Sequence, residues 1–284
     1  MTAKIMSVLA MALLVLSIAA TASMIDLPDK ANDNTEKSPV INDGKVFPPG
    51  LEKIVFIHYK KYKNPAKSVC GNGVCEPGEN ARKCPADCDG TVPEPDASCY
   101  TDLGRGVKWK TLPQSLVINP ANANGLSEDF VVSTTIASAE AWDDATSSEL
   151  FSGYIIDYTA DYDDEAAETD GRNEVSFGNI AEPGVIGMTV IWGYFSGPPK
   201  SRQILETDVI LDDVDFVWGD AALNPSVMDV QNIMTHELGH AAGLGDLYES
   251  TCTEVTMYGY SSEGEIKKRT LEPSDVAGIQ DLYG

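Results

Sequence analysis

Three side chains in the stretch Thr235-His236-Glu237-Leu238-Gly239-His240 have the types and spacing of a hydrolytic metal site. Residues four apart share one face of a helix. His236 and His240 can therefore offer ring nitrogens to one zinc ion, while Glu237, one position round, stands beside a water on that metal. A third ligand has to come from outside the helix. Gly243 permits the left-handed turn that ends a helix and carries the next segment back beneath the metal, and Asp246 arrives there. The chain has three histidines. The remaining one, His58, lies far upstream in a segment of different character, so a carboxylate is the economical third ligand.

The elements that must hold these groups can also be read. Val227, Val230, Met234, Leu238 and Ala241 recur at helical spacing roughly opposite the two histidines, so the helix is anchored by packing behind its ligands, with Ser226 as its expected cap. Upstream, Ser127 can cap a helix whose first turn, Glu128-Asp129, suits the helix dipole. Its expected packing stripe is Phe130, Thr134, Ala137, Ala141 and Ala145, with Trp142 alongside. Between the two helices lie β-rich runs at Tyr154–Tyr158, Glu174–Phe177, Val185–Trp192 and Ile204–Leu211, separated by Gly, Pro and Asp clusters; Leu116–Ile118 reads as an earlier strand. Helices alternating with strands in this way predict an α/β layer.

A chain of 284 residues holds one catalytic domain and smaller appendages. Its net charge of -24 excludes nucleic acid and an anionic membrane face as partners. Solubility is the first use of that acidity, and Ca2+ binding is a possible second one, for which Asp157–Asp170 and Asp212-Asp213-Val214-Asp215 are the candidate stretches. Lys4, an apolar run from Ile5 to Ala20 and the small-x-small sequence Ala20-Thr21-Ala22 predict a signal peptide over residues 1–22 and export, with no membrane attachment after cleavage. Residues 23–69 read as a pro-segment or linker containing one β-prone run, Leu51–Lys63, with a basic tail. That run is expected to be a strand with a solvated end, carrying His58 as one of its side chains. Four cysteines in residues 70–90 (Cys70, Cys75, Cys84 and Cys88) imply a small disulfide-rich module in an oxidising compartment, and 91–99 a stiff linker before a domain over 100–284.

The sequence His236-Glu237-x-x-His240-x-x-Gly243-x-x-Asp246 resembles the metzincin peptidase pattern, with Asp246 where most members have a third histidine. Thr256-Met257-Tyr258 stands where the metzincins have their Met-turn, which implies that Met257 is an apolar floor beneath the metal. Gly259 occupies the place of the tyrosine ligand of astacin-like members, so no such ligand is expected. Leu271–Gly284 looks like the closing helix of the matrixins, the matrix-metalloproteinase branch, and with Trp142 and Asp212–Trp218 the likeness covers about residues 100 to 284. It implies a metzincin-like catalytic domain with a twisted mixed β-sheet, two long helices and a C-terminal helix. It also implies a substrate extended along the strand Val185–Trp192. Two matrixin features are missing: there are no spare histidines for a structural zinc, and Cys99 lacks the Arg-Cys-Gly setting of the inhibitory switch. Cys99 is either a thiolate switch on the zinc or, as the even cysteine count favours, the disulfide partner of Cys252.

The resulting expectation is a secreted, monomeric zinc endopeptidase acting on proteins or peptides. Zn2+ sits on His236, His240 and Asp246, a zinc-bound water attacks, and Glu237 is general base and then acid. The alternatives are an inactive binding module on the same fold and a calcium-stabilised surface or adhesion protein.

Overall fold

The computed structural model describes residues 50–61, 80, 82, 99–104, 106–162 and 169–284. The expected signal segment, and the four-cysteine module apart from Asn80 and Arg82, lie outside the described residues. Seven strands form one mixed sheet: β1 (Glu52–Lys60), β2 (Val117–Ile118), β3 (Ile155–Ile156), β4 (Glu174–Gly178), β5 (Val185–Tyr194), β6 (Gln203–Asp212) and, after a separate parallel pair, β7 (Trp218–Gly219) with β8 (Met228–Asp229), β9 (Tyr260–Ser261). Their order is β3-β2-β4-β6-β5-β1-β9, with β5 antiparallel to both neighbours and the remaining pairs parallel. Three helices follow the expected plan: α1 (Glu128–Asp143), α2 (Val230–Ala241) and α3 (Pro273–Tyr283).

Strand alternation sorts side chains onto two cores. Ile54, Phe56, Ile191 and Leu211 join Trp142, Ile233, Met234 and Leu238 on the helix side. Val55, Ile57, Met188, Val190, Trp192 and Ile210 form a second cluster on the opposite face. Strand β1 is thus sandwiched on both sides and carries His58, 1% exposed, as one of its side chains, while Lys60 at its end is partly exposed; residues 62–63 of the expected basic tail lie outside the described residues. Each apolar side chain that β1 buries contributes roughly 1.5–3 kcal/mol.

Helix α1 is capped by Ser127, whose hydroxyl accepts from the Phe130 amide at 3.2 Å. Its buried face is rotated one position from the expected stripe and consists of Val131, Thr135, Ser138, Ala139 and Trp142. Two hydroxyl residues can be buried here because each donates to a carbonyl of its own helix, Thr135 to Val131 and Ser138 to Thr134. Trp142 Nε1 donates to Thr235 O at 2.8 Å and ties α1 to α2. The cap of α2 is Asp229, which accepts from the Asn232 amide at 2.8 Å, in place of Ser226. Pairing of Met228 and Asp229 with Trp218 and Gly219 keeps the chain extended past Ser226 and delays the helix start. The stripe Val230, Met234, Leu238 and Ala241 is buried as expected.

A candidate metal centre and peptide cleft

Helix α2 presents its two imidazoles on one face, and the turn after it returns a carboxylate to them. Gly243 has φ of 106°, and Leu244 N donates to Gly239 O, closing the helix and reversing the chain. His236 Nε2 and His240 Nε2 are 3.1 Å apart, and Asp246 Oδ1 lies 3.2 and 3.4 Å from them. A tetrahedral zinc with bonds of about 2.0–2.1 Å separates its ligand atoms by about 3.3–3.4 Å, so the three atoms fit one ion. Both outer nitrogens are committed, His236 Nδ1 donating to Thr256 O at 2.8 Å and His240 Nδ1 to Leu244 O at 2.9 Å. In neutral rings the facing Nε2 atoms then carry lone pairs, which repel at 3.1 Å unless a cation lies between them. Asp246 Oδ1 is buried without a hydrogen-bond partner. One cation resolves both conditions.

The surroundings set the donor geometry. Tyr248 OH donates to Asp246 Oδ2 at 3.1 Å. A side chain at Gly259 would meet that tyrosine at 2.4 Å, so glycine is required there. Met257 is buried with its sulfur against Gly239, between the two histidines in sequence, where a Cβ would come within 2.3 Å of it. Asp275 of α3 accepts from the amides of Thr256 and Met257 at 2.8 and 3.3 Å, which explains how the closing helix fixes this turn. A disulfide joins Cys99 to Cys252 and pins the start of the domain to the segment before Met257. The acidic strand end has other work: Asp212 accepts from the amides of Val214 and Asp215, and Asp213 from that of Ala123.

Glu237 is fully buried beside this centre. Thr189 of β5 donates to its Oε2 at 2.6 Å, and burial lifts its pKa to about 7. His58 Nδ1 donates to its Oε1 at 3.2 Å, a partner that the sequence reading did not provide. Among the described residues two groups could hold a metal, His236/His240/Asp246 and His58/His236/Glu237. The second is less suited, because His58 Nε2 already accepts from Lys268 Nζ at 3.2 Å while its Nδ1 serves Glu237. Burial, followed by the neighbouring cationic groups, holds the His58 imidazole well below its usual pKa, in keeping with a neutral ring.

The edge of β5 expected to receive substrate is occupied by β1, in register from Glu52↔Gly193 to His58↔Gly187. Phe56 stacks on His240 with ring centroids 4.0 Å apart, and His58 lies on His236 at 3.9 Å. Thr189, Tyr248, Phe56 and Lys268 were not singled out by the sequence reading, which placed His58 on the β-prone run without a role at the centre. The only available signal was the third histidine, set in a β-prone run.

A mixed sheet backed by a helix with paired imidazoles, a buried glutamate and a returning carboxylate defines a metallopeptidase-type catalytic domain. Residues 136–284, just over half of the chain, match the matrixin family (Peptidase_M10), and the chain belongs to that family. It is 34% identical over 90 residues to Metalloendoproteinase 2-MMP of Arabidopsis thaliana, covering 31% of this chain and 22% of the plant protein. It is also 34% identical over 93 residues to Matrix metalloproteinase-19 of Homo sapiens, covering 32% of this chain and 17% of the human protein. The chain thus spans less than a quarter of either relative. No helix among the described residues is long and apolar enough to cross a membrane.

Proposed function

We propose that the chain is an exported zinc endopeptidase in which His236, His240 and Asp246 hold the metal and Glu237 moves the proton. The observation that carries this reading is the pair of Nε2 atoms facing each other at 3.1 Å beside an unpartnered buried carboxylate oxygen. Zinc held there supplies a Lewis acid that polarises the scissile carbonyl and makes water a stronger acid. Glu237 takes a proton from the attacking water as its oxygen adds to the carbonyl carbon, and returns a proton to the amine nitrogen as the C–N bond breaks. The Thr189 hydroxyl orients the carboxylate by holding Oε2, and Oε1, which accepts from His58, faces the cleft once β1 is displaced. Once β1 is displaced, the main chain of β5 offers an extended peptide the hydrogen bonds of an added strand.

Export is supported by the leader-like sequence up to Ala22 and by the Cys99–Cys252 disulfide. Substrates are proteins or peptides, and the monomer suffices because all the proposed groups come from one chain. Because β1 lies over the cleft, the test uses the full chain with Phe56→Ala to weaken the stacking on His240. Zinc-loaded Phe56→Ala is expected to hydrolyse an unstructured protein, and adding Glu237→Ala to lower the rate by roughly 100- to 10,000-fold with zinc retained. Equal hydrolysis with and without Glu237 would refute the assignment.

A further inference from the structure

Strand β1 crosses the candidate centre in the manner of a bound peptide. It pairs antiparallel with β5 and parallel with β9, through Tyr59↔Tyr260 and Lys60↔Ser261, so it is gripped from both sides. Val55 and Ile57 enter the outer core, whereas Phe56 and His58 turn towards α2 and cover the two imidazoles. Gly187, opposite His58, leaves room there: a Cβ on it would stand 3.2 Å from Glu237 Oε1.

His58 fills a pocket with a polar end. Its imidazole lies on His236, one nitrogen donates to Glu237, and the other accepts from Lys268 Nζ. Lys268 is wholly buried and also donates to Tyr258 O. Its part-buried neighbours are both paired with carboxylates, Lys267 with Glu254 and Arg269 with Asp220 and Asp229. A buried amine is unfavourable unless acceptors surround it, and β1 supplies one of those acceptors. An apolar side chain in the place of His58 would leave Nζ short of a partner.

We propose that the cleft between β5 and β9 recognises an extended peptide whose side chain beside Glu237 ends in a hydrogen-bond acceptor. Lys268 is the specificity-determining residue, and residues 52–60 occupy the cleft as the chain's own copy of such a peptide. This deepens the peptidase reading and rests on it in treating the displacing peptide as a substrate. A substrate displaces β1 and presents Gln, Asn or His, which accept from Lys268 and can donate to Glu237, rather than Leu or Phe, where His58 now sits.

Hydrogen exchange of the β1 amides in the full chain tests this without turnover. His58→Leu removes two hydrogen bonds and is expected to speed exchange by roughly a hundredfold, while His58→Gln, which keeps an acceptor, stays within about tenfold of the parent. In a Lys268→Met background, His58→Leu is expected to have an effect about tenfold smaller, because no amine is left to satisfy. Lys268→Leu serves the same comparison should methionine unfold the chain, and amides of β4 and β6 report that the fold persists. Additive effects, or β1 amides unprotected in the parent, would overturn the proposal. Coupling without hydrolysis by a zinc-loaded Phe56→Ala whose β1 amides exchange freely would refute the peptidase reading alone, whereas hydrolysis without coupling would refute the recognition proposal alone.

Discussion

Replacing Asp246 by asparagine removes one charge from the centre while keeping its shape. Oδ1 lies 3.2 and 3.4 Å from the two histidine nitrogens and has no hydrogen-bond partner, whereas Oδ2 accepts from Tyr248. Zinc sites with four protein ligands bind with about 10–16 kcal/mol near neutral pH. One ligand's even share is about 2.5–4 kcal/mol, or roughly 100- to 1,000-fold in affinity. Asparagine can turn its one, weaker oxygen towards the ion while its amide N–H donates to the Tyr248 oxygen, so the expected loss for Asp246→Asn is near the lower end, about 100-fold. Competition against a chromophoric chelator measures it, with near-ultraviolet circular dichroism confirming that the fold is intact. Affinity within about threefold of the parent, well under 1 kcal/mol, would show that Asp246 is not a ligand.

Three further outcomes follow from contacts around the centre. Tyr248→Phe deletes the hydroxyl that orients Asp246 and should lower zinc affinity by roughly 10- to 100-fold in the same competition assay. Gly239→Ala places a Cβ 2.3 Å from Met257 Sδ and 2.7 Å from Trp142 Cζ2, and Trp142 is held by Thr235; a loss of roughly 1–3 kcal/mol in urea denaturation is expected. Burial lowers the pKa of Lys268 to about 8 from the usual 10.5 of a lysine amine. Between these values the unfolded chain binds more protons than the folded one, so this group's contribution to stability rises with pH. Below pH 8 it opposes folding by about 3 kcal/mol, so the difference in stability between parent and Lys268→Met should change by that order from pH 8 to 10.5.

The parts of the site that a short window encodes were legible. His236, Glu237 and His240 share a helix face by spacing alone, and Gly243 announces the turn that brings Asp246 back. Strands β1 to β6 and both long helices were also legible from their own composition and period, whereas the two-residue strands β7, β8 and β9 carry no such signal. Errors arose where burial depends on a partner. Thr135 and Ser138 look too polar for a core, and only their bonds to helix carbonyls let them face α2 in place of Thr134 and Ala137. Asp229 caps α2 because Met228 is paired with Trp218, a contact that no local pattern contains. His58 reaches Glu237 across 179 residues and Lys268 across 210. The β-propensity of residues 52–60 predicts a strand but not which sheet edge it takes.

The ligand set can be counted directly by X-ray absorption at the zinc edge of the metal-loaded full chain. Each candidate group supplies two imidazoles and one carboxylate oxygen, so the response to Asp246→Ala separates them, and the imidazole count shows whether all three histidines bind. Two imidazoles and a carboxylate oxygen, with the oxygen contribution lost in Asp246→Ala, is the result expected for a zinc held by His236, His240 and Asp246. Three imidazoles, or a spectrum unchanged by Asp246→Ala, would place His58 on the metal and contradict that assignment.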